Sequence, residues 1–334
     1  MTHRELKRPV PLVLPSGRLN PEAAAWSRGS LVDASGVDGR RQWWRTKRWE
    51  YWVVVTPTHI LAVDVSAVGW VDFQQVWLLD RMTDQAVDAT ATLPFSIGTL
   101  LPRTLGTGAA TRARSRNVKI DVEPGGSRTR LRATTPRLSA NLTVDRWPVQ
   151  EALGLVVPWS PKRFHLLVKQ IGLPVHGTIT VDGVTHDVPE GSWAVHDHGR
   201  GRWPASVRWQ WGAAHGVLPD GRRLDFTIGG TWTVGTPSTE NAAFLDGRLH
   251  KLQDELSWEH DAFEPLGPIT VRGERMAATF AVEHSRDDRT NLTIVTGHVT
   301  QSFGTWSGWI ELDDGSRVEF SGFDGFVEDA VYRW

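Results

Sequence analysis

Apolar and polar residues alternate in short runs along most of the chain, and long apolar stripes with helical spacing are missing. A period of two predicts β-strands with one buried face. Helices are few and short: residues 21–27 could form one or two turns, and 99–105 is ambiguous. The pattern therefore predicts an all-β sandwich or barrel. The predicted strands cover residues 51–56, 60–65, 74–79, 164–168, 207–211, 224–228, 276–282, 293–300, 306–312 and 317–320.

Turn dipeptides bound these runs. Asp182-Gly183, Asp220-Gly221 and Asp314-Gly315 are each flanked by alternating residues. This is the strongest short-range signal for a two-residue hairpin turn, so each predicts a hairpin.

A fourth hairpin is predicted at Gly125-Gly126. Centring the turn there places Glu123 opposite Arg128 and Asp121 opposite Arg130 on one face. The other face pairs Ile120 with Leu131 and is mostly apolar, so the register is self-consistent.

The region around this hairpin is basic. Residues 103–146 hold ten Lys or Arg against three acidic residues. The favoured interpretation is a solvated outer sheet face, because alternating charge is usual on the water-facing side of an antiparallel sheet. The alternative is an anion-binding face formed by Arg112, Arg114 and Arg116.

Prolines mark the expected domain boundary. Pro148, Pro158 and Pro161 interrupt the strand pattern between residues 146 and 162, and 334 residues exceed one ordinary domain. We expect an N-terminal β-unit over residues 1–150 and a C-terminal β-unit over residues 151–334.

Composition removes several classes of function. The 37 Lys and Arg nearly balance 38 Asp and Glu, which argues against nucleic-acid binding. The chain has no cysteine, hence no thiolate catalysis or cysteine-bound zinc. Neither a signal peptide nor a membrane span is recognisable, so a cytoplasmic protein is expected. Phosphate-loop, nucleophile-elbow and zinc-protease motifs are missing, and no cofactor is expected. The oligomeric state stays open.

The most concentrated signal lies at residues 193–211. Eighteen tryptophans stand in the chain, and four of them share this stretch with two histidines, an aspartate and arginines. On an extended segment His196 and His198 share one face, and Asp197 takes the other. Aromatic surroundings raise a carboxyl pKa and lower an imidazole pKa, which suits proton transfer. Asp197, His198 and His196 are therefore the catalytic candidates.

Two other interpretations of this stretch remain open. The His196-x-His198 spacing could present two imidazoles to a metal ion, but a further ligand does not follow at a recognisable spacing, so no metal site is expected. In a purely structural role, Asp197 and Arg200 would hold an irregular turn while the tryptophans cap a barrel end. The candidate ligand-binding residues are Trp193, Arg200, Trp203, Trp209, Trp211 and, from the alternating run at 297–309, Gln301.

An ordered set of motifs resembles a known bacterial family. It includes Arg48-Trp49-Glu50-Tyr51-Trp52, the run from His196 to Pro204, Trp209-Gln210-Trp211, and the ending from Glu328 to Trp334. Together these are similar to the family called domain of unknown function 2804. That family is distantly similar to tandem lipocalin-like proteins such as carotenoid hydratases and Diels–Alderase-type cyclases.

The resemblance implies two lipocalin-like antiparallel β-barrel or sandwich units with few short helices. It also implies a cavity for a hydrophobic small molecule, and the family assigns no reaction. The leading hypothesis is a cofactor-independent hydratase, isomerase or cyclase that uses acid–base residues in a Trp-lined pocket. The alternatives are a non-catalytic lipocalin-like carrier and, less favoured, a carbohydrate-binding protein whose tryptophans stack on sugars.

Overall fold

The computed structural model describes residues 4–38, 45–104, 108–260, 264, 266–292 and 295–334. Within these ranges the regular structure is almost all antiparallel strand, with two short 3-10 helices at Pro21–Ala23 and Ser35–Asp38. The predicted all-β, lipocalin-like fold class is confirmed. The described ranges include no helix that is long and apolar enough to cross a membrane.

The strands are β1 (Val10–Pro11), β2 (Trp26–Ser27), β3 (Val32–Asp33), β4 (Thr46–Val55), β5 (His59–Val68), β6 (Val71–Asp80), β7 (Gln85–Pro94), β8 (Thr99–Leu100), β9 (Thr111–Arg114), β10 (Lys119–Pro124), β11 (Arg128–Thr134), β12 (Leu138–Asp145), β13 (Leu153–Ser160), β14 (Arg163–Val181), β15 (Val184–Val188), β16 (Trp193–Arg202), β17 (Ser206–Val217), β18 (Arg223–Gly230), β19 (Ala242–Leu245), β20 (Arg248–Lys251), β21 (Ser257–Glu259), β22 (Ile269–Arg272), β23 (Met276–Asn291), β24 (Thr296–Glu311) and β25 (Arg317–Arg333).

Two compact units divide the chain. The first unit comprises Leu6–Val156 and Ser160–Arg202, and the second is formed mainly by Trp203–Trp334 with Val157–Trp159. The boundary predicted at residue 150, between two β-units, stays a prediction.

The first unit holds a curled sheet in which β16 lies between β4 and β14. Its strand order is β7-β6-β5-β4-β16-β14-β12-β11-β10-β9-β8. Strand β14 is 19 residues long, and its pairing with β16 shifts register between Gln170 and Leu173. This bulge bends β14, so that its second half pairs with β12 and β15. The curl encloses an apolar core that includes Trp52, Val63 and Leu142.

The second unit is a nine-stranded sheet in the order β20-β19-β18-β17-β25-β24-β23-β22-β21. Three long neighbouring strands, β23 to β25, form its centre. Residues with a period of two on these strands bury Phe280, Trp306 and Phe326, which are almost fully shielded from solvent. Each unit is thus an antiparallel sheet that covers its own apolar face.

The Asp-Gly signals locate all three hairpins but not all three turns. Asp182-Gly183 forms the predicted two-residue turn, with Val181 paired to Val184. At the other two sites the prediction is wrong, because Leu218 donates to Arg222 O and Leu312 donates to Ser316 O across three-residue loops. In the first of these, a two-residue turn would need an N–H from Pro219, which proline lacks.

The predicted register of the β10–β11 hairpin is wrong by two residues for the same reason. Glu123 lies opposite Arg130, and Gly125 N–H donates to Arg128 O. A turn at Gly125-Gly126 would make Pro124 a closing hydrogen-bond donor, which it cannot be. A shift of two residues leaves every side chain on the same face of its strand, so the predicted charged and apolar faces are kept.

The basic face of this region is partly neutralised. Asp121 accepts from Arg114, and Arg112 lies within 3.8 Å of the same carboxylate. Arg132 pairs with Glu123 at 3.4 Å. These exposed pairs favour the solvated-face interpretation.

Gly177 offers a test of the bend in β14. Its φ is +133°, and a Cβ there would lie 2.2 Å from the carbonyl oxygen of Asn141 on β12. We expect Gly177→Ala to lower the free energy of unfolding by about 3 kcal/mol or more in urea denaturation. Gly183→Ala is the matched control, because its φ is also positive but the space around it is open, and we expect a loss of about 1 kcal/mol. Equal losses of unfolding free energy in the two variants would contradict the close approach of Gly177 to the Asn141 carbonyl oxygen.

Candidate functional site

Strand β16 carries the candidate site, and all ten of its residues are buried. Because side chains alternate across a strand, β16 presents two different polar faces. The carboxylate face holds Trp193 and Asp197, together with Gly199 and Gly201. The imidazole face, on the opposite side, holds His196, His198 and Arg200.

Asp197 is held by residues of the two neighbouring strands. It lies opposite Tyr51 on β4 and Lys169 on β14. Its Oδ2 is 3.6 Å from the Lys169 Nζ and accepts a hydrogen bond of 3.3 Å from the Trp49 Nε1. Its Oδ1 is buried and has no hydrogen-bond partner among the described residues. One carboxylate oxygen is therefore fixed and the other is left to accept a proton or hydrogen bond.

The glycines of the carboxylate face make room for two rings. The Trp49 ring stacks on His165 with centroids 4.4 Å apart and an angle of 17°. A Cβ on Gly199 would lie 2.3 Å from the Trp49 ring and 2.6 Å from the His165 Nε2. Burial, with the nearby charges of His198 and Lys169, holds the pKa of His165 well below its usual range. The stack is therefore neutral.

A carboxylate also organises the imidazole face. The His196 Nε2 lies 3.5 Å from the Glu50 Oε1, and the Trp52 ring stacks on His196 at 4.1 Å. Glu50 further accepts hydrogen bonds from the Trp52 Nε1 at 3.1 Å and from the Thr111 hydroxyl. The other ring nitrogen of His196 is 3.5 Å from the Gln170 Oε1. His196 is thus fixed on three sides.

Glu50 and His198 titrate far from their ordinary ranges. Burial alone would raise the pKa of Glu50, but the hydrogen bond and charge of His196, with His198 and Thr111, outweigh it and lower the pKa to about 2. Burial lowers the pKa of His198 to about 3, despite the opposing effect of Glu50. At neutral pH the face therefore holds an ionised Glu50 and a neutral His198.

Arg200 is part of the structural framework at this end of β16. Its side chain is fully buried. The Nη1 donates to Asp38 at 3.0 Å, and the Nη2 donates to the Pro102 carbonyl at 2.5 Å. Arg202 similarly donates to the carbonyls of Gly17 and Val37. These guanidiniums tie distant chain segments to β16.

The predicted ligand-binding tryptophans of the second unit contact one another. Trp203 is stacked on Trp232 at 5.6 Å, with an interplanar angle of 10°. It also meets Trp159 at 5.4 Å, Trp209 at 5.8 Å and Trp334 at 6.0 Å. This set of rings buries Trp203 to 7 % exposure. Mutual packing therefore accounts for much of the tryptophan concentration.

The remaining predicted residues of the second unit meet at β25. The Trp209 Nε1 donates to Glu328 at 2.7 Å, and the Gln301 Nε2 donates to the same carboxylate at 3.3 Å. The Trp211 Nε1 donates to the Thr227 hydroxyl at 3.0 Å. The indole N–H groups of both tryptophans are thus satisfied inside the unit.

The nine predicted site residues thus fall into separate groups. Trp193 and Asp197 share one face of β16, and the two histidines and Arg200 share the other. Trp203, Trp209, Trp211 and Gln301 belong to the second unit. The assignment of catalytic and ligand-binding roles stays a prediction.

Four partners of the site were missed from the sequence: Trp49, Glu50, His165 and Lys169. The first two lie in the Trp49-Glu50-Tyr51-Trp52 run, whose alternation was a usable signal for two faces. His165 and Lys169 are set by the register of β14, which no local motif encodes. As for a metal, the described part of the chain has no group of three or more His, Asp or Glu suited to hold one.

Comparison with known proteins identifies the family. The family described as Domain of unknown function (DUF2804) matches residues 3–334, so the chain belongs to it. Among curated proteins none matches the sequence.

Solved structures with the same fold include kievitone hydratase from Nectria haematococca. It has a TM-score of 0.51 and 11% identity, over 86% of this chain and 88% of that one. The structure of CghA with Sch210972 has a TM-score of 0.54 and 10% identity, over 86% and 88%. At these identities the likeness shows the fold alone.

Acidification is expected to destabilise the protein through His198. The unfolded imidazole binds a proton below its ordinary pKa of 6.5, whereas folded His198 stays neutral to about 3. The contribution of His198 to the free energy of unfolding should therefore be constant above pH 6.5 and fall by about 1.4 kcal/mol per pH unit below it. In urea unfolding between pH 7 and pH 5, His198→Gln should make the slope smaller by about that amount, and His165, whose pKa is also lowered, should leave a remaining slope. His260→Gln, at an exposed site, should keep the full slope. A slope unchanged in His198→Gln would refute the assignment.

The buried pair of Lys169 and Asp197 gives a second prediction. Asp197→Asn removes the carboxylate charge beside a buried ammonium group, and we expect the free energy of unfolding to fall by about 3–5 kcal/mol. Lys169→Met with Asp197→Asn should recover most of that loss, as measured by urea denaturation. If the single and double variants are equally unstable, the ion pair is not the cause.

Proposed function

We propose that this protein binds an apolar small molecule at the carboxylate face of β16 and moves a proton on it, in a hydration, isomerisation or cyclisation that needs no cofactor. The observation that carries the proposal is Asp197, a buried carboxylate with one oxygen fixed and the other without a partner among the described residues. A buried carboxylate oxygen without a partner can accept a proton or a hydrogen bond from a bound molecule.

Asp197 would act as the proton acceptor. The Lys169 ammonium lies 3.6 Å from the Oδ2 and holds that oxygen in place. The Trp49 N–H orients the same oxygen. The Oδ1 is then positioned to take a proton from a carbon atom of the substrate or from the water molecule that adds to the substrate. General acid–base transfer of this kind contributes about 10²–10⁴ to a rate.

The rings around Asp197 suit an apolar, electron-poor substrate. The Trp49 ring and the neutral His165 add no charge beside the carboxylate. Proton transfer to Asp197 leaves negative charge on the substrate, and the nearby Lys169 ammonium would offset that charge.

His196 and His198 take a different role in this proposal. They lie on the opposite face of β16, and one ligand cannot contact both faces of a buried strand. The Glu50 carboxylate fixes His196, and neutral His198 neighbours it. We therefore assign both histidines as positioning residues that hold β16 against β4.

The fold supports this class of function. Kievitone hydratase is by its name a hydratase, and the structure of CghA with Sch210972 contains a small molecule. Lipocalin-like sheets commonly enclose apolar ligands.

A carrier without catalysis is the second candidate. The buried ion pair of Lys169 and Asp197 also fits a purely structural role, in which the same unit only holds its ligand. The carbohydrate hypothesis is less supported, because Trp203 and Trp232 face one another and Trp209 uses its N–H on Glu328.

The test separates binding from chemistry. The uncharged fluorophore N-phenyl-1-naphthylamine measures apolar binding, and a panel of enones and polyenes incubated in heavy water is examined by mass spectrometry for deuterium exchange or water addition. We expect the variant with Lys169→Met and Asp197→Asn to bind the fluorophore like the wild type and to lose turnover about 10²–10⁴-fold.

Asp187→Asn, a change of an exposed carboxylate, is the matched control and should keep full turnover. Turnover retained by the double variant would remove Asp197 from the mechanism. Fluorophore binding with every panel compound recovered unchanged would favour the carrier and overturn the catalytic proposal.

A further inference from the structure

Two arginines oppose each other at one end of the first unit. Arg48 on β4 and Arg200 on β16 are paired directly across the two strands, so their side chains share the imidazole face. Like charges in opposed positions destabilise a sheet unless something compensates them. Arg200 is compensated by Asp38 and the Pro102 carbonyl, whereas Arg48 donates to the Ser96 hydroxyl at 3.3 Å.

A third guanidinium adjoins this pair. Arg103 follows Pro102, whose carbonyl oxygen is 2.5 Å from the Arg200 Nη2. It is exposed and makes no ion pair with any residue in the described ranges. The charges of Arg48 and Arg103 add to burial in lowering the pKa of Arg200 to about 10. The three groups therefore share one electrostatic environment.

Two carboxylates balance this cluster of three guanidiniums only in part. Asp38 is engaged by Arg200. Asp72 is fully buried, accepts from the Ser96 hydroxyl at 3.2 Å, and interacts with the charge of Arg48, although burial raises its pKa. An excess of positive charge thus remains around Arg48 and Arg103.

The connection between β7 and β8 lies against the same residues and exposes apolar side chains. Phe95, Ile97 and Leu100 are 65 %, 62 % and 53 % exposed. Phe95 and Ser96 both have φ of +57°, because they are the central residues of a tight turn that the Ile97 N–H closes on the Pro94 carbonyl oxygen.

Side-chain hydrogen bonds also fix the connection in place. The Gln74 Nε2 donates to the Gly98 carbonyl at 3.3 Å and to the Thr99 hydroxyl at 3.0 Å. Ser96 bridges Asp72 and Arg48. The apolar side chains are therefore presented beside the guanidiniums by a defined set of contacts.

We propose that Arg48 and Arg103 bind the carboxylate of a soluble acidic amphiphile whose hydrocarbon chain covers Phe95, Ile97 and Leu100. Guanidiniums match a carboxylate in shape and charge, and apolar side chains exposed together suit a hydrocarbon. Arg48 shares the imidazole face of β16, opposite Asp197, so this is a second site and goes beyond the proposed function.

The site is tested by calorimetric titration with dodecanoate below its critical micelle concentration. Dodecanol is the uncharged control ligand of the same chain length. We expect dodecanoate to bind with one site per chain, and Arg103→Gln to weaken it about 10- to 100-fold, as the loss of one charged hydrogen bond implies. Arg48→Gln should have a similar effect, with thermal unfolding checking its fold. Arg116→Gln, another exposed arginine, is the matched control and should bind like the wild type.

Equal affinity of the Arg103→Gln and Arg116→Gln variants for dodecanoate would overturn the proposal, and so would equal affinity of the wild type for dodecanoate and dodecanol. The protein could instead sediment with vesicles of phosphatidylcholine and phosphatidylglycerol and fail to bind monomeric dodecanoate. That result would indicate a membrane surface as the partner and would also overturn the proposal.

The two proposals fail in different measurements. Absence of N-phenyl-1-naphthylamine binding and of turnover counts against the proposed function, whatever dodecanoate does. Equal affinities for dodecanoate and dodecanol count against the anion site alone.

Discussion

The structure of the first unit depends on β16 being buried on both faces. A strand with charged and polar side chains in that position is stable only if their charges are compensated by groups on adjacent strands. Asp197 meets Lys169 and Trp49, and His196 meets Glu50. The register of β4 and β14 is therefore fixed by charge and hydrogen bonding as much as by apolar packing. A slip by one residue would bury these groups without partners.

The same constraint explains how far sequence reasoning reached. Alternation alone placed His196 and His198 opposite Asp197, because a period of two is a property of any strand. It did not supply Glu50 or Lys169, since pairing between distant strands leaves no local pattern. Local rules also failed where a donor was missing, as at Pro124 and Pro219, where proline shifted turns that the glycines suggested. Two of the family motifs lie on β4 and β16 but did not assign their contacts.

The tryptophans show that one residue type can serve different purposes in one chain. The Trp49 ring packs over Gly199 and its N–H donates a hydrogen bond to the Asp197 carboxylate, whereas Trp203 is enclosed by other tryptophans. A large amphipathic ring fills space in both cases, but only the first also orients an ionisable group with an unused oxygen. Concentration of tryptophan in the sequence therefore overstates the size of a site. What distinguishes the candidate site is the neighbouring charge.

The pairing of β4 with β16 also has a consequence for biosynthesis. Trp49 and Asp197 are separated by 148 residues, so one edge of β4 stays unpaired until the ribosome has translated β16. At about 5–20 residues per second the wait is on the order of 7–30 s. During that time the nascent chain exposes an unpaired, largely apolar strand edge, the kind of surface that invites aggregation. Production of this protein should therefore depend on ribosome-associated chaperones more than its final stability would indicate.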